Sequence, residues 1–207
     1  MRSEARQRQI LSVAKKVFAE RGFHAANVSH ICEAAGIGRG TLYQYFANKH
    51  SVLTAILRET LDRVRALMET MSRDAAYPPA ESVTKAVAIK VSISQLRRLL
   101  GVVFDDVDTL RILLREAVGL DAQVETILGE IDDTLIRILE QDLIRAQKAG
   151  YIRECDPHIV ATMIVGGVEK LGLAALRSSA PVDLDALARE AATMHAIGLM
   201  SDRLKPE

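Results

Sequence analysis

At 207 residues, with 49% hydrophobic and 26% charged side chains, the chain is too apolar to be disordered and long enough to join a small module to a larger one. Its formal net charge is zero, yet the first fifty residues hold eight bases against three acids, and the remainder carries the matching acidic excess. Such a basic quarter on an acidic body points to a polyanion as the partner of that quarter, with a solvated basic face as the plainer alternative.

Cys32 and Cys155 are too few for a disulfide framework, and no signal-like apolar stretch follows the charged start, so a cytoplasmic location is expected. The longest apolar run, near 159–168, is shorter than the ~20 residues a spanning helix requires, and no membrane contact is expected.

Hydrophobic periodicity is helical almost throughout, which predicts an all-α fold. The first helix, 3–21, turns Ile10, Val13, Ala14, Val17 and Phe18 inward, and Gly22 stops it. Asn27 is placed to cap a short helix to residue 35 that buries Val28, Ile31 and Ala34 or Ala35, and Gly36 supplies a left-handed turn. Ile37 plugs the corner. A third helix, from Gly38 to about Phe46, puts Leu42, Tyr45 and Phe46 on one side and Gly40, Tyr43 and Gln44 on the other, flanked by Arg39 and Thr41. A helix so short and glycine-containing depends on packing, and its outward face needs an external reason.

The run Asn27-Val-Ser-His-Ile-Cys-Glu-Ala-Ala-Gly-Ile-Gly-Arg-Gly-Thr-Leu-Tyr-Gln-Tyr-Phe-Ala-Asn-Lys49 resembles the DNA-binding segment of the TetR family of regulators. The resemblance implies an N-terminal helix-turn-helix DNA-binding domain, 1–50, with a linking helix starting from it and reaching residue 72. A C-terminal helical ligand-binding and dimerisation domain, 51–207, would follow. It also implies that the third helix enters the major groove, with Arg39, Gly40, Thr41 and Gln44 near base edges, Tyr43, Tyr45 and Lys49 near the backbone, and Ser29 and His30 making outer contacts. Asn27 and Gly38 stand at helix starts, where backbone N–H groups can meet phosphate, and Arg39 and Lys49 put positive charge where a helix dipole alone disfavours it. Two positions depart from the family pattern: Gly38 replaces a side-chain cap, and Cys32 stands where alanine is usual and reads as a small buried filler.

The linking helix carries Val52, Leu53, Ile56, Leu57, Leu61, Val64 and Met68 or Met71 on its apolar side. Residues 75–79, ending in two prolines, break the chain, and further helices are expected near 80–100, 103–118, 121–149, 156–178 and 183–202. The segment 159–176 is apolar all round and should be buried on two sides. With the helix at 121–149 it suggests an isologous homodimer contacting through Ile131, Leu135, Ile138, Met163, Gly166, Gly167 and Lys170, which in turn implies a palindromic operator of double-stranded DNA. Control by a small-molecule effector follows from the resemblance, and Met71, Phe104, Leu113, Glu116 and Met163 are candidates to line its site, although each also fits an ordinary core.

No catalytic motif, cofactor signature or metal-ligand set is legible. The five histidines are scattered, and the Cys155/His158 spacing lacks partners. An enzyme is therefore not expected; the remaining rival is a helical small-molecule- or protein-binding module that does not bind DNA.

Overall fold

The computed structural model describes residues 2–73, 78–177 and 183–199, and among them there are helices and turns but no strand. Helix α1 (Arg2–Arg21) buries Ile10, Ala14, Phe18, Val17 and Leu11. It ends where Gly22 adopts φ 77°, a conformation open to glycine but strained for L side chains. Helix α2 (Val28–Ala35) starts at Asn27, whose side chain accepts a hydrogen bond from the His30 N–H, and ends at Gly36 with φ 62°. Helix α3 (Arg39–Tyr43) is shorter than the sequence pattern suggests: turn-type bonds from Tyr45 N–H and Phe46 N–H, both to the Leu42 carbonyl, close the segment beyond Tyr43.

Helix α4 (Lys49–Arg73) is entered through Asn48, whose side chain accepts from the Ser51 N–H while the Ser51 hydroxyl donates to the Asn48 carbonyl. Its apolar stripe, Val52, Leu53, Ile56, Leu57, Leu61 and Val64, is almost wholly removed from solvent. The 75–77 part of the expected break, and residues 178 and 200–202 of the last two expected helices, lie outside the described residues.

Beyond the break, the expected 80–100 helix divides into a 3-10 turn (Ala80–Ser82) and α5 (Lys85–Phe104), because the Thr84 side chain caps a fresh start by accepting from the Val87 N–H. The expected 103–118 helix divides similarly. Asp106 starts α6 (Val107–Arg111), which continues as a π-helical turn (Ile112–Glu116). Helices α7 (Ala122–Lys148), α8 (Pro157–Ala175) and α9 (Leu184–Leu199) complete the chain.

These elements form two compact units, each discontinuous in sequence: Met1–Arg63 with Asp106–Ile131, and Val64–Asp105 with Asp132–Glu207. In the first, α6 is fastened to α1. Lys15 lies between Asp106 at 3.3 Å and Glu59 at 3.7 Å, and the Arg111 guanidinium donates to the Ala19 carbonyl at 3.1 Å. Asp106 also accepts from the Thr109 N–H at 3.0 Å and the Thr109 hydroxyl at 2.7 Å.

Burial pushes the Asp106 carboxyl up, but the Thr109 and Lys15 contacts outweigh it, so it ionises below the ordinary aspartate value. A carboxyl held low in the folded state stabilises it above about pH 4 and loses that contribution as pH falls further. Asp106→Ala is therefore expected to cost about 1–2 kcal/mol at pH 7, as lost caps do, and progressively less below pH 4. Urea unfolding of both proteins across this range checks it.

In the second unit, α5 packs against α9, with the Arg97 guanidinium donating to Asp185 at 3.0 Å. Helix α8 departs from the two-sided burial its composition suggests. Ala161, Ile164, Val165 and Gly172 are buried, whereas Ile159, Met163, Gly166, Gly167, Lys170 and Leu171 are exposed. A Cβ added at Gly166 or Gly167 would meet nothing within 4 Å, so the paired glycines bring no other helix close among the described residues.

By length and composition α8 is the one described helix that would suit a bilayer, since the apolar stretch resumes after Glu169 and Lys170 and runs to Ala175. Both charges are exposed, and each would cost about 2.5–3.5 kcal/mol at the centre of a membrane.

Candidate nucleic-acid interface

The segment from Phe23 to Lys49 is held from behind by its own unit. Phe23 and Phe18 pack with ring centroids 5.4 Å apart, and Ile31, Leu42 and Phe46 are buried beneath α2 and α3. Full burial of Leu42 alone is worth about 1.5–3 kcal/mol, which is how a five-residue helix holds its place. The Gly36 N–H reaches the Cys32 and Glu33 carbonyls, and the Ile37 N–H bonds the Cys32 carbonyl at 3.0 Å, fixing the corner between α2 and α3. Cys32 is buried, as a filler should be.

What remains outward is the set of polar residues selected from sequence. Asn27, Gly38, Arg39, Gly40, Tyr43 and Gln44 are exposed, while Ser29, His30, Thr41 and Tyr45 are half-buried. Tyr43 is 53% exposed, a large aromatic with little burial of its own. Arg39 donates to the Ser29 hydroxyl, tying the start of α3 to the start of α2. A Cβ at Gly38 or Gly40 would meet nothing within 4 Å, so neither glycine is required by packing within the protein. The buried Nδ1 of His30 has no partner, which leaves its tautomer unfixed by the protein.

Two candidates are occupied elsewhere. The Lys49 ammonium donates to the carbonyls of Phe23 at 2.7 Å, Ala26 at 2.8 Å and His24 at 3.1 Å, and lies 4.5 Å from the centre of the Phe23 ring. An ammonium has three donors and all three are used, so the charge at the start of α4 is satisfied internally rather than awaiting phosphate. Glu116, a candidate for the effector site, accepts from the Phe23 N–H at 2.9 Å and lies against Gly22. Lys49 and Glu116 thus serve the same turn, one satisfying its carbonyls and the other an N–H. Neither role was legible from the sequence, because these contacts join segments 23 or more residues apart.

The other effector candidates scatter. Met71 and Phe104 are buried in the second unit, Leu113 is half-buried in the first, and Met163 is 71% exposed, which removes it from any enclosed lining. Among the dimer candidates, Ile131 and Ile138 are buried within the protomer and Leu135 is half-buried, while Met163, Gly166, Gly167 and Lys170 are exposed. Ile131 and Ile138 are therefore core residues, since the apolar face of α7 turns into its own chain. No group of three or more potential metal ligands occurs among the described residues.

Residues 10–56 match the family model described as bacterial regulatory proteins, tetR family. That segment is a TetR-family DNA-binding segment. It begins at the first fully buried residue of α1 and ends inside α4, so it contains the whole exposed α2–α3 surface. With that segment, and with transcriptional regulators among its relatives, the chain is a DNA-binding regulator of the helix-turn-helix type.

A relative named fatty acid metabolism regulator protein, from Bacillus subtilis, is 26% identical over 192 residues, covering 92% of this chain and 94% of that one. The fold is shared with the fatty acid degradation regulator FadR of Bacillus halodurans, with a TM-score of 0.74 and 22% identity over 95% of this chain and 97% of that one. It is shared also with a transcriptional regulator FadR of Bacillus subtilis in complex with stearoyl-CoA, with a TM-score of 0.71 and 24% identity over 92% and 97%.

Proposed function

We propose that this regulator is a repressor which binds a palindromic operator as a two-fold symmetric homodimer and releases it when an acyl effector, a fatty acid or its coenzyme A thioester, binds the helical body. The observation that carries the DNA-binding half is the outward set Arg39, Gly40, Tyr43 and Gln44, borne on a corner whose Ile31, Ala35, Leu42 and Phe46 are turned inward. At Gly38 and Gly40 an added Cβ would meet nothing of the protein within 4 Å, and the missing side chains let a partner's backbone come close. The effector class rests on the relatives concerned with fatty acids, which this chain matches over nearly its full length.

The functional division follows the expected one, 1–50 for DNA and 51–207 for regulation and assembly, and the place of action is the cytoplasm. The body has no catalytic duty in this reading. Arg39 and Gln44 read base edges, Tyr43, Ser29 and Thr41 hold phosphate and sugar, and Lys49 stabilises the reader from behind. The exposed stripe Ile159, Met163, Gly166, Gly167 and Lys170 of α8 is covered by a second copy, a use of apolar surface that disposes of the membrane alternative.

Gel shifts on operator fragments over a salt series test the reading. Specific binding with a steep negative salt slope is expected, and no binding at low salt would favour a helical module without DNA affinity. Gln44→Ala is expected to relax preference at one base position per half-site, a loss of about 1–3 kcal/mol of discrimination, with overall folding unchanged. Binding-site selection with the variant reads this directly.

A further inference from the structure

On α4, Arg63 stands seven residues after Ile56 and three after Thr60, at the half-buried margin of the stripe whose members at 56 and 60 are 0% and 2% exposed. Its Nε and Nη2 are buried and have no hydrogen-bond partner. Glu59, one turn earlier and the natural partner for an arginine at that spacing, does not bond it: its Oε2 lies 3.7 Å from the Lys15 ammonium and is likewise buried without a hydrogen-bond partner. The Thr60 hydroxyl is itself committed, donating to the Ile56 carbonyl at 3.1 Å.

An arginine cannot shed its charge, and donors of a charged group that are buried without a partner are costly in a protein. The identity of the two orphaned atoms matters more than their number. Nε–H and the adjacent Nη2–H lie side by side along one edge of the guanidinium plane and form the fork that grips two oxygens of a single carboxylate or phosphate. Both prongs of that fork are unpaired while it faces away from water.

We infer that Arg63 is the anchor for the acidic group of the effector, binding an oxyanion side-on through Nε and Nη2, so that the regulator responds to anionic rather than neutral ligands. This rests on the reading of the chain as ligand-responsive and specifies the chemistry of the ligand's head. The oxyanion is the carboxylate of a free fatty acid or a phosphate of a coenzyme A thioester; the fork accepts either. An uncharged molecule with the same hydrocarbon tail leaves the guanidinium unsatisfied.

Calorimetric titration of the full chain with decanoate, decanoyl-CoA and 1-decanol separates the cases. Wild-type protein is expected to bind at least one of the two anions and to bind decanol far more weakly. Arg63→Met is expected to lose roughly 30-fold or more in affinity for that anion, and Arg63→Lys, which keeps the charge but not the fork, roughly tenfold. Arg58→Met, at an exposed arginine on the same helix, should leave the affinity as it was. Loss confined to decanoate assigns a carboxylate to the fork, and loss confined to decanoyl-CoA assigns a phosphate. Equal binding of either anion by wild type and Arg63→Met overturns the inference while leaving an acyl-responsive regulator intact.

If no acyl compound binds the wild type, the acyl reading fails by itself, and thermal unfolding in inorganic phosphate and in acetate decides the anion site. A rise in the unfolding midpoint of wild type that Arg63→Met lacks supports the fork, and identical shifts in the two proteins reject it. Without anion, Arg63→Met is expected to unfold higher than wild type, because it removes two buried donors that have no partner.

Discussion

Lys49→Met is expected to lower the unfolding midpoint by about 5 °C and to weaken operator binding, yet to leave the slope of log affinity against log salt where it was. The ammonium joins three carbonyls of the Phe23–Ala26 turn to the first residue of α4. Methionine keeps most of the stem's contact with the Phe23 ring but leaves two part-buried carbonyls without a donor. Charge-assisted bonds of this kind contribute about 1.5–3 kcal/mol each before solvent exposure is counted. A net loss of about 2 kcal/mol corresponds to the stated shift for a chain of this size.

Binding suffers because α2 and α3 are aimed from that turn. If instead Lys49 neutralised a phosphate, its removal would flatten the salt slope by about one and leave thermal stability nearly unchanged. Differential scanning calorimetry and a salt series on one protein preparation separate the two roles.

Met163→Arg is expected to give a folded monomer whose affinity for a two-site operator is lower by about 100-fold or more. Met163 is 71% exposed in the protomer, so the substitution does no harm to a single folded chain. In a two-fold dimer the new arginine would bring a second copy of itself to the same interface and would desolvate both charges. Loss of the dimer turns one linked binding event into two independent ones, and linkage of this kind is commonly worth 10²–10⁴ in affinity. Sedimentation at micromolar protein, alongside gel shifts on whole and half operators, measures both effects. A variant that stays dimeric would move the interface off this stripe.

Short-range signals made the reading head legible from sequence. Gly22 and Gly36 adopt the positive φ their positions suggest, Asn27 caps α2, and Leu42 and Phe46 turn inward while Tyr43 and Gln44 do not. Each depends on neighbours within a few residues, where helical spacing is a sufficient guide.

The internal contacts of Lys49 and Glu116, and the unpartnered donors of Arg63, were not legible for the opposite reason. Their partners, or the lack of them, are set by segments that meet only in the folded chain. Apolar composition misled in a different way at α8, since it cannot tell a helix buried in its own protomer from one that leaves a stripe for another surface. The start of α6 was readable in principle: Asp106 is a good cap, but the apolar residues on both sides of it made one long helix the simpler pattern.

Selection of bound sequences from a random pool of duplex DNA by the full-length protein addresses the whole proposal at once. Enrichment of a two-fold symmetric site, with half-sites about one helical turn apart at ~34–36 Å, is the expected outcome. A pool that emerges without any enriched sequence, or with one lacking symmetry, would contradict a paired reading head on a dimeric regulator.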